Sequence, residues 1–246
     1  MSRALLSLWY GARMSRAPAT ARARARIELT HEIKATARRQ LAEVGASGLS
    51  LRAVARELGM VSSAVYRYYA SRDELLTALI VDAFDAVGEA AEDAAANTRG
   101  GVVKRFTAVA SAVRAWALAN PHDYALIYGS PVPGYAAPTA TVPPAVRVSA
   151  AALTVVADGV ASGEIDVAPA GPIPRTVRAD LARIRDEVAP GVPDDVLVRT
   201  FLVWTAMFGT ISFELFGHLH GVVDDYETFF AHQMRRAGEL IVTGKA

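Results

Sequence analysis

Ser62, Ser63, Tyr66, Arg67 and Tyr68 are crowded into one short stretch, preceded by Arg52 and Arg56 and followed by Arg72. Hydroxyls donate and accept hydrogen bonds, a guanidinium is a planar fork of donors, and a phenol presents its hydroxyl at the end of a stiff ring. Such groups reach phosphate oxygens and the edges of bases. The Ser-rich turn has no base within sequence reach, so this chemistry is binding and not bond making.

Two short helices joined by a tight turn must position these groups. Over residues 50–72, Leu51, Val54, Ala55 and Leu58 recur at i, i+3, i+4 and i+7, one face of a helix, while Arg52, Arg56 and Glu57 face away. Ser50 can accept a hydrogen bond from a free N–H of the first turn, and Gly59 can take the left-handed conformation that ends the helix. In the second helix Val61, Ala64, Val65 and Tyr69 turn inward, which leaves Ser62, Ser63, Tyr66, Arg67 and Tyr68 to solvent. A major groove about 12 Å wide admits one helix of this kind. Any short amphipathic helix pair gives the same spacing, so the pattern needs a second line of support.

Charge supplies it. The formal net charge of +1 conceals two opposite parts: residues 1–72 hold thirteen Lys+Arg and four Asp+Glu, and residues 73–246 hold the other thirteen and twenty-one, giving +9 and −8. A basic segment ahead of an acidic body suits phosphate binding, in which each neutralised phosphate releases counterions.

The stretch from Ser50 to Leu76 resembles the DNA-binding motif of the tetracycline-repressor (TetR) family. The matching positions are Ser50, Val54-Ala55, Gly59, Tyr66-Arg67-Tyr68-Tyr69, Ser71-Arg72, Asp73-Glu74 and Leu75, and by motif the likeness covers residues 27–80. The run from Phe208 to His218 is similar to an actinobacterial-type branch of regulatory domains. The resemblance implies that Tyr66 and Arg72 hold phosphates, that Ser62, Ser63, Arg67 and Tyr68 face the groove, and that Ser50 and Arg52 grip the backbone from the first helix. Where the family often has Ser or Thr this chain has Val61, so the second helix is capped by Ser62 or not at all, and its register is open by one residue.

Around this motif the expected fold is all-α. A hydrophobic content of 52% with abundant Ala favours closely packed helices, and the absence of Cys excludes disulfides and thiolate metal or redox sites, which fits a cytoplasmic protein. No uncharged apolar run reaches about 18 residues; the nearest, Thr200 to Phe213, lies between Arg199 and Glu214. Residues 1–24 are expected to be a basic, disordered arm. Met14-Ser15-Arg16-Ala17 repeats Met1-Ser2-Arg3-Ala4, which leaves either methionine as the start, and Arg16, Arg22, Arg24 and Arg26 could follow a DNA backbone, enter a minor groove or stay in solvent.

Residues 25–72 form the expected three-helix, helix-turn-helix domain, its first helix running from about Ala25 to Val44 with Ile27, Ile33, Ala37, Leu41 and Val44 inward. Ser71 caps a connecting helix over residues 73–97, with Asp73 and Glu74 in its positive first turn. Residues 98–246 read as a larger helical domain for ligand binding and dimerisation. Its helices are expected at Val102–Ala119, Pro121–Tyr128, Pro144–Ala161, Pro174–Val188, Asp194–Leu219 and Tyr226–Val242, with a Pro- and Ala-rich connection from Gly129 to Pro143 that could cover a pocket.

Phe106, Trp116, Tyr124, Tyr128, Trp204, Met207, Phe208 and Phe213 are scattered over these helices. Aromatics at helical spacing usually pack a core, but together they suit an apolar cavity for a small apolar or aromatic effector, with Phe106, Trp116, Tyr128, Trp204 and Phe208 as its wall. The last two helices suit a two-fold four-helix bundle, with Phe213, Leu215, Phe216, Leu219, Phe229, Phe230, Met234 and Leu240 as candidates for the seam. His218, His220, Asp224 and Asp225 have metal-ligand chemistry but not a shared helix face, and no phosphate loop, nucleophile elbow or His-Glu-x-x-His motif is present. An enzyme is not expected, nor a cofactor or bound metal.

The expectation is a homodimeric transcriptional regulator, a repressor, that reads a palindromic duplex with half-site centres about 34–36 Å apart and is released by ligand. The alternative is a helical adaptor for protein partners without DNA binding, which would lack salt-dependent duplex binding.

Overall fold

The computed structural model describes residues 20–169 and 171–244, and among these there is no strand. The open start codon and Arg16 lie outside the described residues. Among the described residues two compact units emerge: one holds residues 20–84 together with Pro121–Val142, the other Asp85–Asn120 together with the described residues from Pro143 on.

The first unit is built on α1 (Ala21–Gly48), α2 (Leu51–Glu57), α3 (Ser62–Val65) and the start of α4 (Arg72–Asn97). α1 begins before the expected Ala25, so residues 21–24, read as disordered arm, are helical; Thr20 Oγ1 accepts from the Ala23 N–H at 3.2 Å and starts the helix. Gly45, at φ 70, breaks its helical path where the sequence places the end. Ile33, Ala37 and Leu41 are buried against Val54, Ala55, Val65, Leu75 and Leu79. Ile27 and Val44 are exposed, contrary to expectation. Both stand at the margins of α1, where no second layer covers them.

Ser71 Oγ accepts from the Glu74 N–H at 3.1 Å, the cap expected at the head of α4, and Glu74 Oε2 in turn accepts from the Ala70 N–H one residue before the cap. The segment Pro121–Val142, assigned by sequence to the larger domain, packs with this first unit through α6 (Pro121–Tyr128), numbered after α5 (Val102–Ala119). Val132 and Tyr135 lie against its core, and the Tyr135 and Thr77 hydroxyls are 2.8 Å apart. The Pro- and Ala-rich connection is therefore a packed strap here, because its two large side chains find apolar surface.

The second unit contains the end of α4, α5, α7 (Val142–Ala145), α8 (Arg147–Ala161), α9 (Arg175–Val188), α10 (Asp194–Leu215) and α11 (Tyr226–Thr243). The expected helix from Pro144 is split at Val146. α10 stops at Leu215, short of Leu219, and Gly217 at φ 79 takes the left-handed turn. Its core is Phe106, Val109, Val113, Val155, Val156, Met207, Ile211, Phe230 and Met234. Phe230 and Met234, candidates for the seam, are thus core residues: α11 is apolar on more than one side and periodicity alone does not say which side faces inward. Gly238 lets α11 approach α5, since a Cβ there would lie 3.1 Å from the Val103 Cα.

Partly buried ion pairs join its helices. Arg114 meets Glu214 at two points, 2.7 and 2.6 Å, and Arg147 meets both Glu92 and Asp85. Two stretches, Thr139–Ala161 and Asp194–Leu215, are long and apolar enough by composition to cross a membrane. Each carries a buried arginine, Arg147 or Arg199, and each contributes to the core described above.

Candidate nucleic-acid interface

α2 and α3 form the anticipated pair. Leu51, Val54 and Ala55 are buried with Leu58 packed beside them, and Gly59 turns the chain at φ 66. Ser50 makes no side-chain cap; its backbone N–H instead donates to Gln40 Oε1 at 3.4 Å, and the buried Gln40 anchors the turn. Val61 holds the cap position of α3, so Ser62 is its first helical residue and the register left open by sequence is fixed. No side chain caps this helix. Val61, expected inward, is 72% exposed because the cap residue precedes the buried turn.

Beyond Val65 the chain keeps turning through Tyr66, Arg67 and Tyr68, whose N–H groups donate to Ser62, Ala64 and Val65 carbonyls. Ser63, Tyr66 and Arg67 are exposed, and Ser62 and Tyr68 half-buried. Tyr68 is less open than its spacing implies because the Arg26 guanidinium lies over its ring, 5.0 Å from the centroid. Tyr69 is buried as expected; burial, with Asp82 and Glu74 nearby, pushes its phenol pKa up.

Arg52, Arg56 and Arg67 are exposed and have no carboxylate partner among the described residues. Arg39 pairs with Glu57 at 2.8 Å on the same unit. Arg72 is already engaged: Nη2 donates to the Ala46 carbonyl at 2.7 Å and Nη1 lies 3.5 Å from Asp73. It ties the head of α4 to the end of α1. Sequence reasoning missed this role, which depends on a contact across the fold.

Behind the pair, Lys34 and Arg38 both reach Asp82, at 2.8 and 3.0 Å, and Arg38 lies 3.3 Å from Asp123 of α6. Burial raises the Asp123 carboxyl pKa, opposed by the Arg38 guanidinium. These charges fasten α1, α4 and α6 into one body.

The five proposed effector contacts are distributed unevenly. Tyr128 belongs to the first unit, beside Phe84 and Tyr124 with ring centroids 5.8 and 5.2 Å away. Phe106 is sealed in the core of the second, contrary to its expected place on a cavity wall, because its position on α5 faces the packed helices. Trp116 is half-buried. Trp204 and Phe208 pack edge-on at 4.7 Å, and Trp204 borders a cavity of about 20 Å³ with Leu153 and Phe201. That space suits about one water. A larger groove, about 880 Å³ and open to solvent, runs between α5 and α11 past Val103, Thr107, Ser111, Thr228 and Ala231. His218 packs on Phe213 at 5.1 Å, and no group of acidic or imidazole side chains suited to a metal occurs among the described residues.

A helix-turn-helix with a free basic outer face, ahead of a separate helical unit, defines a DNA-binding regulator. Residues 33–79 match the bacterial regulatory proteins of the tetR family, and residues 106–237 match the tetracyclin repressor-like C-terminal domain. The chain is 46% identical over 220 residues to the HTH-type transcriptional regulators Mb1846 of Mycobacterium bovis and Rv1816 of Mycobacterium tuberculosis, covering 83% of this chain and 91% of each relative. The crystal structure of the regulatory protein SCO4313 superposes with a TM-score of 0.73 at 34% identity, over 89% of this chain and 98% of that one. PfmR of Thermus thermophilus, at 14% identity and a TM-score of 0.55, shares the fold, over 85% of this chain and 96% of its own. The chain belongs to the TetR family of transcriptional regulators, and it is not an enzyme.

Proposed function

We propose that the protein is a cytoplasmic repressor that binds a palindromic operator as a homodimer and is released by a small apolar or aromatic ligand. In this reading α1 to α3, residues 21–72, are the DNA-binding domain, 73–97 the connecting helix, and the effector and dimer domain lies in residues beyond 98, apart from Pro121–Val142, which packs with the first unit. The observation that carries it is the unpaired basic and hydroxyl-rich face of the helix-turn-helix. Ser62, Ser63, Arg67 and Tyr68 face the major groove, Tyr66 and Arg52 hold phosphates, and Ser50 and Arg72 position the turn against the backbone.

Dimerisation is supported by α10. Val198, Phe201, Leu202, Phe213 and Phe216 are all more than a third exposed and recur down one side of this helix, together with Phe229 at the start of α11. Apolar side chains on this scale are costly in water and suit a helix from a second copy. Gly209 stands midway along that side with open space around it, where a close crossing needs no side chain. The effector acts by favouring a dimer state whose recognition helices no longer match the half-site spacing, an effect bounded by its difference in affinity for the two states. Trp116, Trp204 and Phe208 are its contacts in the second unit, where the Trp204 and Phe208 rings already pack edge-on.

A reporter gene with the bound duplex placed inside its promoter tests the direction of control. Output should fall when the protein is expressed. Output that rises overturns the repressor reading.

A further inference from the structure

The inner stripe of α1 runs through Leu29, Ile33, Ala37 and Leu41. Followed toward the amino terminus, the same stripe continues at Arg26 and Arg22, three and seven residues before Leu29. Positions that are apolar along the rest of the helix therefore become arginines where α1 passes the recognition segment. The Arg26 guanidinium covers the Tyr68 ring, and Arg22, Arg26 and Arg67 rim a cavity of about 340 Å³ floored by Leu29, Met60 and Tyr68. None of the three arginines has a carboxylate partner among the described residues. Three like charges drawn together over an apolar floor repel one another, and an anion set among them relieves that repulsion.

This turn of α1 precedes residue 33, where the family match begins, so Arg22, Arg26 and Leu29 lie outside that match while Met60, Arg67 and Tyr68 lie within it. We propose that the notch is a second phosphate-binding site, taking a backbone phosphate of the duplex that flanks the base pairs read by α3. Arg22 and Arg26 contact that phosphate, and Tyr68 is a positioning residue whose ring holds the Arg26 guanidinium in place. The protein then grips DNA beyond its half-site. The proposal rests on the DNA-binding reading above.

The test is duplex binding over a range of salt, with the half-site either extended by about ten base pairs or cut at its edge. Each phosphate contact adds about 0.9 to the slope of log affinity against log salt. On the extended duplex, the double variant Arg22→Gln, Arg26→Gln should lower the slope by about 0.9 for each half-site bound, while on the trimmed duplex it should match the unmodified chain. Tyr68→Leu, whatever it changes at the base edges, should lower the salt slope as Arg26→Gln alone does, with no further lowering when the two are combined. Equal slopes for variant and unmodified chain on the extended duplex overturn the notch while leaving DNA binding intact. Equal losses on both duplexes overturn its flanking position. If the unmodified chain binds no duplex at all, the DNA-binding reading itself fails, and the notch with it. Unchanged thermal unfolding of the variants shows that any loss comes from the contact and not from the fold.

Discussion

Arg147 and Glu92 meet at two points, Nε to Oε1 at 2.8 Å and Nη2 to Oε2 at 2.6 Å, and the same guanidinium reaches Asp85 through Nη1 at 2.7 Å. The side chain of Arg147 is 7% exposed, so removing it leaves two carboxylates facing each other without a counter-charge. Arg147→Ala should lower the stability of the second unit by about 3 kcal/mol, read as a drop in the thermal midpoint. Gly88 sits against this residue, and a Cβ there would lie 2.6 Å from the Arg147 Cβ. Gly88→Ala should therefore also destabilise, although glycine to alanine in a helix ordinarily stabilises by about 1 kcal/mol. A rise in midpoint would contradict this packing.

Gly209 predicts the opposite for the single chain. A Cβ there meets nothing within 4 Å, so Gly209→Ala should add about 1 kcal/mol of helix stability to a monomer. At a two-fold seam the added methyl holds the crossing helices apart. Sedimentation equilibrium should show the variant dissociating at higher concentration than the unmodified chain. An unchanged dimer would remove Gly209 from the seam.

Asp123 sets a pH dependence. Its carboxyl is raised by burial from 3.8, so the folded protein holds that proton more tightly than the unfolded chain does. Its charge penalises folding fully above the raised value and not at all below 3.8. Asp123→Asn, which cannot ionise, should gain stability relative to the unmodified chain as pH rises through that window. Denaturant unfolding at several pH values reads the difference; a constant gap would show that the Arg38 pair cancels the burial cost.

Tyr66 is 42% exposed and its hydroxyl is the group offered to a phosphate. Tyr66→Phe should weaken binding to all duplexes to a similar degree, by about 1 kcal/mol, whereas Ser63 or Arg67 variants should shift the preferred sequence. Unchanged affinity of Tyr66→Phe would count against its phosphate contact.

The helix-turn-helix was legible because its determinants are local. Leu51, Val54, Ala55 and Gly59 lie within three turns of one another, and both the buried face and the stop at φ 66 follow from spacing and residue type. Tyr135 against Thr77 spans 58 residues and Arg147 against Glu92 spans 55, separations that no periodicity encodes. The one local hint was Gly88, a small residue inside a long helix. Phe230 and Met234 went to the core and Phe213 and Phe216 to the surface, although all four look alike as apolar residues at helical spacing. Which apolar face is covered depends on neighbouring helices. For the same reason Phe106 read as cavity wall but packs as core.

Selection of bound duplexes from a random pool, run at two salt concentrations, tests the central claim most directly. A TetR-family regulator working as a two-fold dimer should enrich an inverted repeat whose half-site centres lie about 34–36 Å apart, with affinity falling steeply as salt rises. An enriched single half-site would contradict the dimeric reading, and no enriched duplex at either salt would contradict the operator-binding account and favour the helical adaptor instead.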